Sequence, residues 1–431
     1  MTTTGDRRRA PSPRSIRLTT RGKVFGVVAI LLLVIAYSGG NRLMLLVGGL
    51  LLGLVGVAAA LARFRSMRLS INRTFWPSPV PATTPLTVSI DTTNLASIRS
   101  APLYWNDSLP WRPLATDAVR LDPLGSSSGR AADRRATLSY TLQPPRRGVF
   151  DIGPLQVAYS DPFGLAVGFM SIGGKSELIV TPFVTELPLN GLWLEAPDGS
   201  ARLVQATGVG NADDLMTREY RRGDALRRVH WRASARHGEL MVRQEEQRAY
   251  PEATIVLDTR LASYHDRLEQ TPSRGASTWF SESFEWGVSM FASLGVHLHR
   301  AGFVVHVLES ATSQAIELAD DEARMGRESD FLLSLAGIRL LSEYGRPADV
   351  SPAEGPVFAI AAEPDADTLK WLSSIKRPFE LGIVFVVGGS RSTATPLEDA
   401  GWTVVLVEPW TDPALAWDVV AEQLGLARGD H

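Results

Sequence analysis

A chain of 431 residues and 46.9 kDa, 45% of it aliphatic or aromatic, is long enough for two or three domains with substantial cores. It holds no cysteine, which excludes disulfides, thiol nucleophiles, iron–sulfur clusters and Cys-based zinc sites, and its seven histidines show no ligand spacing. The net charge of −2 conceals +11 over residues 1–73, −3 over 74–216, +4 over 217–248 and −14 over 249–431; so acidic a C-terminal part repels phosphate backbones and argues against nucleic acid as a partner.

In chain order, residues 1–22 read as a basic, disordered N-terminus. Two uncharged runs follow, 24–40 and 43–62. At about 1.5 Å per residue the second is roughly 30 Å long, one hydrocarbon thickness. The first is about 25 Å and is completed by Lys23 and Arg42 reaching outward. Only Asn41 and Arg42 separate the runs, so 23–65 is expected to be an antiparallel transmembrane hairpin. Arg7, Arg8, Arg9, Arg14, Arg17, Arg21 and Lys23 precede it, and Arg63, Arg65 and Arg68 follow. The positive-inside rule then places both termini and the soluble domains in the cytoplasm, with the lipid bilayer as first partner. A cleaved signal peptide is the competing reading of the first run, but no small-x-small site clearly ends it and a second span follows at once. Gly48, Gly49, Gly53 and Gly56 fit either close helix packing or ordinary glycine use in spans.

Residues 69–190 read as a β-rich domain, an antiparallel sandwich or barrel. The strands expected are 86–92, 136–142, 148–160 and 177–183, short and alternating or β-branched, with turn residues between. Residues 191–251 form a linker and an arginine-rich segment. From 252 to 431 apolar strands (252–258, 303–309, 356–362, 381–389, 402–408) alternate with amphipathic helices (281–301, 331–341, 368–375, 413–426). That alternation predicts a doubly wound parallel sheet.

Gly223-Asp224 reads as a helix N-cap opening a short helix that ends near Gly238. Arg218, Arg228 and Arg236 present planar forks suited to carboxylates. They either pair with acids of the C-terminal domain or form a docking patch for an acidic partner. Gly173-Gly174-Lys175-Ser176 fails as a phosphate loop, because Phe169 stands where its first glycine is needed and a strand follows. His306, flanked by Val305 and Val307, reads as a core histidine.

The arginine-rich segment, with Arg218, Tyr220, Gly223, Asp224, Arg228, Trp231, Ser234, Ala235 and Arg236, closely resembles the signature of the family catalogued as domain of unknown function 58. A second match runs upstream through Arg147, Gly148, Gly153, Pro154, Asp161, Pro162, Phe163, Gly164 and Leu165. The resemblance implies a bacterial inner-membrane protein with a β-rich domain and a C-terminal domain similar to the von Willebrand factor A fold. It also implies a gene neighbourhood holding a MoxR-type AAA+ ATPase and a transglutaminase-like membrane protein, either a possible partner. It implies no reaction.

The von Willebrand A fold holds Mg²⁺ through Asp-x-Ser-x-Ser after its first strand. Here Asp258 is followed by Arg260 and Ala262 in the serine positions, so no metal and no cofactor is expected. Arg260 is expected to pair with Asp258 in the ion's place. The reading is a membrane-tethered, non-catalytic adaptor in which Arg218, Tyr220, Gly223, Asp224, Arg228, Trp231, Ser234, Arg236, Asp258 and Arg260 serve partner binding or interdomain contact. The alternative is a hydrolase-like enzyme whose site joins the arginine-rich segment to Asp258.

Overall fold

The computed structural model describes residues 15–64, 67–111, 118–188, 252–270, 278–315, 324–342, 355–377 and 380–424, together with the backbone of four three-residue strands between 193 and 243. Two compact units result, the first reaching Thr181 and the second beginning at Pro182.

The first unit opens with strand β1 (Ser15–Leu18), then helices α1 (Thr20–Gly39) and α2 (Arg42–Phe64). Both helices are long and apolar enough to cross a membrane, and they leave Val27, Leu31, Val34, Leu46 and Leu50 exposed, which a soluble core helix would bury. The two-residue connection works because Gly40 takes the left-handed conformation that ends α1, while the Asn41 side chain accepts from the Leu43 and Met44 amides to start α2. Of the four glycines in question only Gly48 meets the other helix: a β-carbon there would lie 2.9 Å from Leu33 Cγ, whereas Gly49, Gly53 and Gly56 face open space. The disorder expected over 1–22 does not hold for Ser15–Leu18, which pairs antiparallel with a strand 150 residues downstream; residues 1–14 lie outside the described residues.

The strands that follow are β2 (Leu69–Trp76), β3 (Val80–Pro81), β4 (Leu86–Asn94), β5 (Leu103–Asp107), β6 (Val119–Leu121), β7 (Arg135–Leu142), β8 (Gly148–Ile152), β9 (Leu155–Ser160), β10 (Ala166–Ile172) and β11 (Ser176–Thr181). They form sheets of order β1-β10-β9-β5-β6, β2-β4-β7 and β3-β11-β8 around one core that includes Val88, Ile90, Leu103, Trp105, Val157, Leu178 and Val180. Alternation decides the faces: β4 and β5 bury every second residue. The single strand expected over 148–160 is two strands in different sheets. The chain breaks at Gly153, whose φ of +99° suits glycine and whose missing β-carbon leaves room for the Arg73 guanidinium. That guanidinium is buried. It forks onto both oxygens of Asp107 at 2.7 and 2.9 Å, and also donates to Ile152 O and Ser176 Oγ. Tyr140 Oη completes the cluster at 2.8 Å from Asp107, and burial followed by the Asp107 charge pushes its hydroxyl well above the usual range.

The hairpin is stitched to this sheet structure at both ends. Thr19 caps α1 through Gly22 N, while its own N–H and hydroxyl donate to Leu165 O and Gly164 O at 2.9 and 2.8 Å. Gly22 lies against the same loop so closely that a β-carbon would fall 2.1 Å from Leu165 O. At the other end Tyr159 Oη donates to Ala62 O at 2.7 Å, and Leu165 packs with Val55 and Ala58 of α2. Asp161 holds the loop by accepting from the Phe163 and Ala166 amides. The upstream family-like motif, Asp161 to Leu165, is thus the seat of the hairpin.

The second unit carries the short strands β12 (Trp193–Glu195) to β13 (Ala201–Leu203) and β14 (Thr217–Glu219) to β15 (Met241–Arg243), each an antiparallel pair. Then come β16 (Glu252–Leu257), the small hairpin β17 (Leu268–Gln270) and β18 (Thr278–Phe280), and helix α3 (Glu282–Arg300). They are followed by β19 (Val304–Glu309), α4 (Arg324–Gly337), β20 (Val357–Ala361), α5 (Ala366–Ile375), β21 (Gly382–Val387), α6 (Arg391–Asp399), β22 (Thr403–Val407) and α7 (Pro413–Gln423). The sheet is parallel throughout, in the order β19-β16-β20-β21-β22. Alternate residues serve opposite faces: Ile255, Leu257, Phe358, Ile360 and Phe385 pack with α3, α4 and α7, while Val256, Val357, Ala359, Val384 and Val386 pack with α5 and α6.

Two expected boundaries move. The β-rich domain ends at Thr181 rather than 190, because Leu187 is buried in the second core, Thr185 N donates to Ser293 Oγ, and Phe183 O accepts from Ser289 Oγ. The helix expected over 331–341 ends at Gly337, since Leu341 leaves to bridge Arg260. Helix α6 was not expected at all; its nine residues carry Pro396 and an exposed polar face that masks any apolar period.

Candidate functional site

In the order β19-β16-β20, the chain runs outward from β16 to β19 and then crosses back to β20. The β16–β20 seam is therefore the topological switch point, and the loops leaving the carboxyl ends of these strands part there, which is where open α/β sheets generally form their ligand crevice. Each of the three strands ends on polar residues. β16 runs into Asp258, Thr259 and Arg260; β19 ends at Glu309 and is followed by Ser310; β20 leads to Asp365, the N-cap of α5.

Asp258 is 2% exposed. Its Oδ1 accepts from the Arg260 amide at 3.1 Å and a very short bond from Ser310 Oγ, and the Ser263 hydroxyl lies beside its carboxylate. Ser310 Oγ also accepts from Thr259 N at 3.0 Å, and Tyr264 Oη donates to Asp258 O at 2.6 Å. Burial raises the Asp258 carboxyl above its ordinary range, against the opposing pull of Ser263, Ser310 and Arg260. Tyr264 is pushed up by burial, then by Asp258 and Asp266. Glu309 is raised by burial too, although it accepts from the amides of Gln314 and Ala315 and so shapes the turn after β19.

The Arg260 guanidinium does not pair with Asp258, as the sequence suggested. Nη1 crosses the seam to Asp365, 3.1 Å from Oδ1 and 3.3 Å from Oδ2, and to Thr368 Oγ1 at 3.0 Å. Arg260 is joined to Asp258 through its backbone amide, and its charge only pulls on that carboxylate from a distance, while its guanidinium finds two oxygens of Asp365 and the Thr368 hydroxyl in the first turn of α5. Asp365 in turn accepts from Thr368 N at 2.8 Å. Partial burial would raise its carboxyl, but the bonds from Thr368 and the Arg260 charge outweigh this and hold it below the usual range.

This set does not suit a divalent cation. Asp365, the second carboxylate there, is occupied by a guanidinium that brings the positive charge itself, and the same charge acts on Asp258. No cluster of three or more His, Asp or Glu stands in metal-binding geometry among the described residues.

Of the sequence-nominated residues, Asp258 and Arg260 therefore meet at one place with different partners. Arg218 lies on β14, paired with Val242 of β15. Tyr220, Gly223, Asp224, Arg228, Trp231, Ser234 and Arg236, and with them the helix expected after Asp224, lie outside the described residues. Sequence reasoning missed Asp365, Thr368, Ser310 and Glu309. The signal that could have found them is positional: each sits at, or a few residues past, the carboxyl end of an apolar parallel strand. His306 is also reassigned: on the edge strand β19 it is partly exposed and lies 3.3 Å from Glu252, not in the core.

Together these features define a class: a paired apolar helical hairpin seated on a β-rich unit, followed by a doubly wound α/β unit whose switch point is closed by an arginine–aspartate bridge. Residues 216–268, which take in the arginine-rich segment, β16, Asp258 and Arg260, match the family described as "Protein of unknown function DUF58", in support of the resemblance drawn from the sequence. That description names no reaction. No curated protein matches the chain. Among solved structures, the di-metal CARDB domain of the PF1109 protein from Pyrococcus furiosus is similar at 11% identity over 27% of this chain and 90% of its own, with a TM-score of 0.19. The superoxide reductase (neelaredoxin) of Ignicoccus hospitalis is similar at 16% identity over 28% of this chain and 86% of its own, with a TM-score of 0.14. A cycloisomaltooligosaccharide glucanotransferase of Paenibacillus sp. is similar at 10% identity over 78% of this chain and 52% of its own, with a TM-score of 0.17. Likenesses this low carry no functional weight.

Proposed function

We propose that this protein is a non-catalytic adaptor held on the cytoplasmic face of a bacterial inner membrane, and that its second unit, read as von Willebrand A-like, binds a protein partner at the β16–β20 crevice. The observation that carries this reading is the arginine–aspartate bridge. Polar groups gather at a switch point, where doubly wound proteins bind ligands, yet Asp258 Oδ1 and Arg260 Nη1 are both taken up by neighbouring groups of the same place. Asp258 is sealed beneath Ser310, and Arg260 is engaged by Asp365, so neither is offered to a substrate. A surface fixed in this way suits recognition by shape and charge. The hairpin and the excess of basic residues at its ends support the membrane and the orientation. A MoxR-type AAA+ ATPase is the partner class proposed, with a transglutaminase-like membrane protein as a second member of the assembly.

The test uses the detergent-solubilised full chain and the MoxR-type ATPase encoded nearest to its gene. Co-elution of the two on size exclusion, weakened by Arg260→Glu without loss of the thermal transition, is the expected result. Absence of any complex with nucleotide bound or free overturns the partner; a C-terminal reporter lying outside the cytoplasm overturns the orientation.

A further inference from the structure

We infer that the base of the hairpin is a seat for anionic phospholipid headgroups, formed by Arg17, Arg21, Lys23 and Arg63 around the exposed rings of Phe163 and Phe169. The inference rests on the membrane reading of the hairpin and adds the class of lipid that the protein selects.

Three observations converge on this seat. The first is rigidity. Thr19 is bonded to the Gly164 and Leu165 carbonyls, Gly22 touches Leu165 O, and Tyr159 holds Ala62. With both ends of the hairpin fixed to strands and loop of the same unit, the depth at which apolar helix gives way to polar chain is fixed for the loop as well. Phe163 is two residues from Leu165 in that loop, which meets the start of α1, and Phe169 is on β10 opposite Ser15, at the end of β1 farther from α1.

The second is apolar exposure in the right place. Phe163 is 49% and Phe169 38% exposed, and Leu18 and Phe64, next in sequence to Arg17 and Arg63 at the hairpin ends, are exposed as well. Aromatic and large apolar side chains at the ends of a span are matched by the interfacial layer of a bilayer, where one part of the ring is dry and another wet.

The third is charge without counter-charge. Arg17, Arg21, Lys23 and Arg63 are all exposed, and among the described residues none makes an ion pair. The one acid in the collar is Asp161, which is buried and spent on the Phe163 and Ala166 amides. Arg17 instead rests its guanidinium 5.7 Å from the centroid of Phe169, which orients it toward the interface without neutralising it. Four exposed basic side chains at the two ends of the hairpin, with the Phe169 ring beside one of them, have the charge and wetting of an anionic headgroup layer as their complement.

The experiment uses the full chain reconstituted into nanodiscs of phosphatidylcholine with a minority of phosphatidylglycerol, and reads by native mass spectrometry which lipid is retained. Retention of phosphatidylglycerol above its share, falling as salt rises, is expected. Arg17→Gln with Arg21→Gln should lower that preference roughly thirtyfold at low salt, two charges near the surface being removed. Phe163→Ser should lower retention of both lipids, and the thermal transition of the variants should be unchanged. Bulk-ratio retention by a protein that reconstitutes normally overturns the inference alone, as does displacement of the lipid by inorganic phosphate. A protein that enters no disc removes the hairpin reading as well.

Discussion

Arg260 and Asp365, 105 residues apart in sequence, meet across the seam between β16 and β20, with guanidinium Nη1 3.1 and 3.3 Å from the two carboxylate oxygens. Asp365 also caps α5, so the two roles can be separated by substitution. Asp365→Asn keeps an oxygen for Thr368 N and removes the charge. Asp365→Ala removes both. The cap is worth about 1 kcal/mol. The pair, a third exposed at its aspartate, adds less than about 1 kcal/mol after screening. Thermal unfolding of the second unit should therefore rank wild type above Asn above Ala. Equal losses for Asn and Ala would show that the cap contributes nothing.

The two aspartates of the crevice should respond to pH with opposite sign. Asp365 is held below its ordinary value, so its contribution is present at neutral pH and is lost as pH falls through the folded-state value. Asp258 is raised by burial, so the stability tied to its protonated form is complete below the unfolded carboxylate range and is lost as pH rises through the raised value. Asp258→Asn, which keeps the acceptor for Ser310 and Arg260 N, should raise the thermal midpoint at neutral pH and leave it unchanged in acid. A midpoint lowered at every pH would contradict this.

In the first unit the buried Arg73–Asp107 pair is over-determined by Tyr140, Ile152 O and Ser176. Asp107→Ala strands the guanidinium and should cost about 3–5 kcal/mol. Tyr140→Phe removes one charge-assisted bond and should cost about 1.5–3 kcal/mol. Replacing Arg73 and Asp107 together by Met and Leu should cost less than Asp107→Ala alone, which a denaturant titration of the four proteins resolves.

The hairpin offers a test with an internal control. Gly48→Leu drives a side chain into Leu33 and the Ala29 carbonyl, whereas Gly53→Leu projects into open space. The first should separate α1 from α2 and the second should not. Disulfide trapping between cysteines placed on the two helices should fall only for Gly48→Leu; a fall for both would mean that the helices cross elsewhere.

What the sequence disclosed follows how local each signal is. The apolar runs of the hairpin, the strands 252–258 and 356–362 and the amphipathic period through Phe284, Val288 and Phe291 are set by neighbours within one or two turns, and each appears where expected. β1 was invisible because nothing in Ser-Ile-Arg-Leu announces a strand; its pairing with β10 is supplied by the fold. Gly153 split one apparent strand because the decisive neighbour, Arg73, lies eighty residues away. For the site, Asp258 and Arg260 were legible from their place after a strand. Their partners Ser310, Asp365 and Thr368 were not, since only the strand order brings three loops to one seam.

β1 is synthesised before the hairpin, and β10 only after it, yet the two are registered residue for residue from Ser15–Phe169 to Leu18–Ala166. That ladder cannot close until both helices have been made. The five-stranded sheet therefore acquires its β1 edge only after the chain has run through the hairpin and returned, so the first unit is completed by its own opening strand.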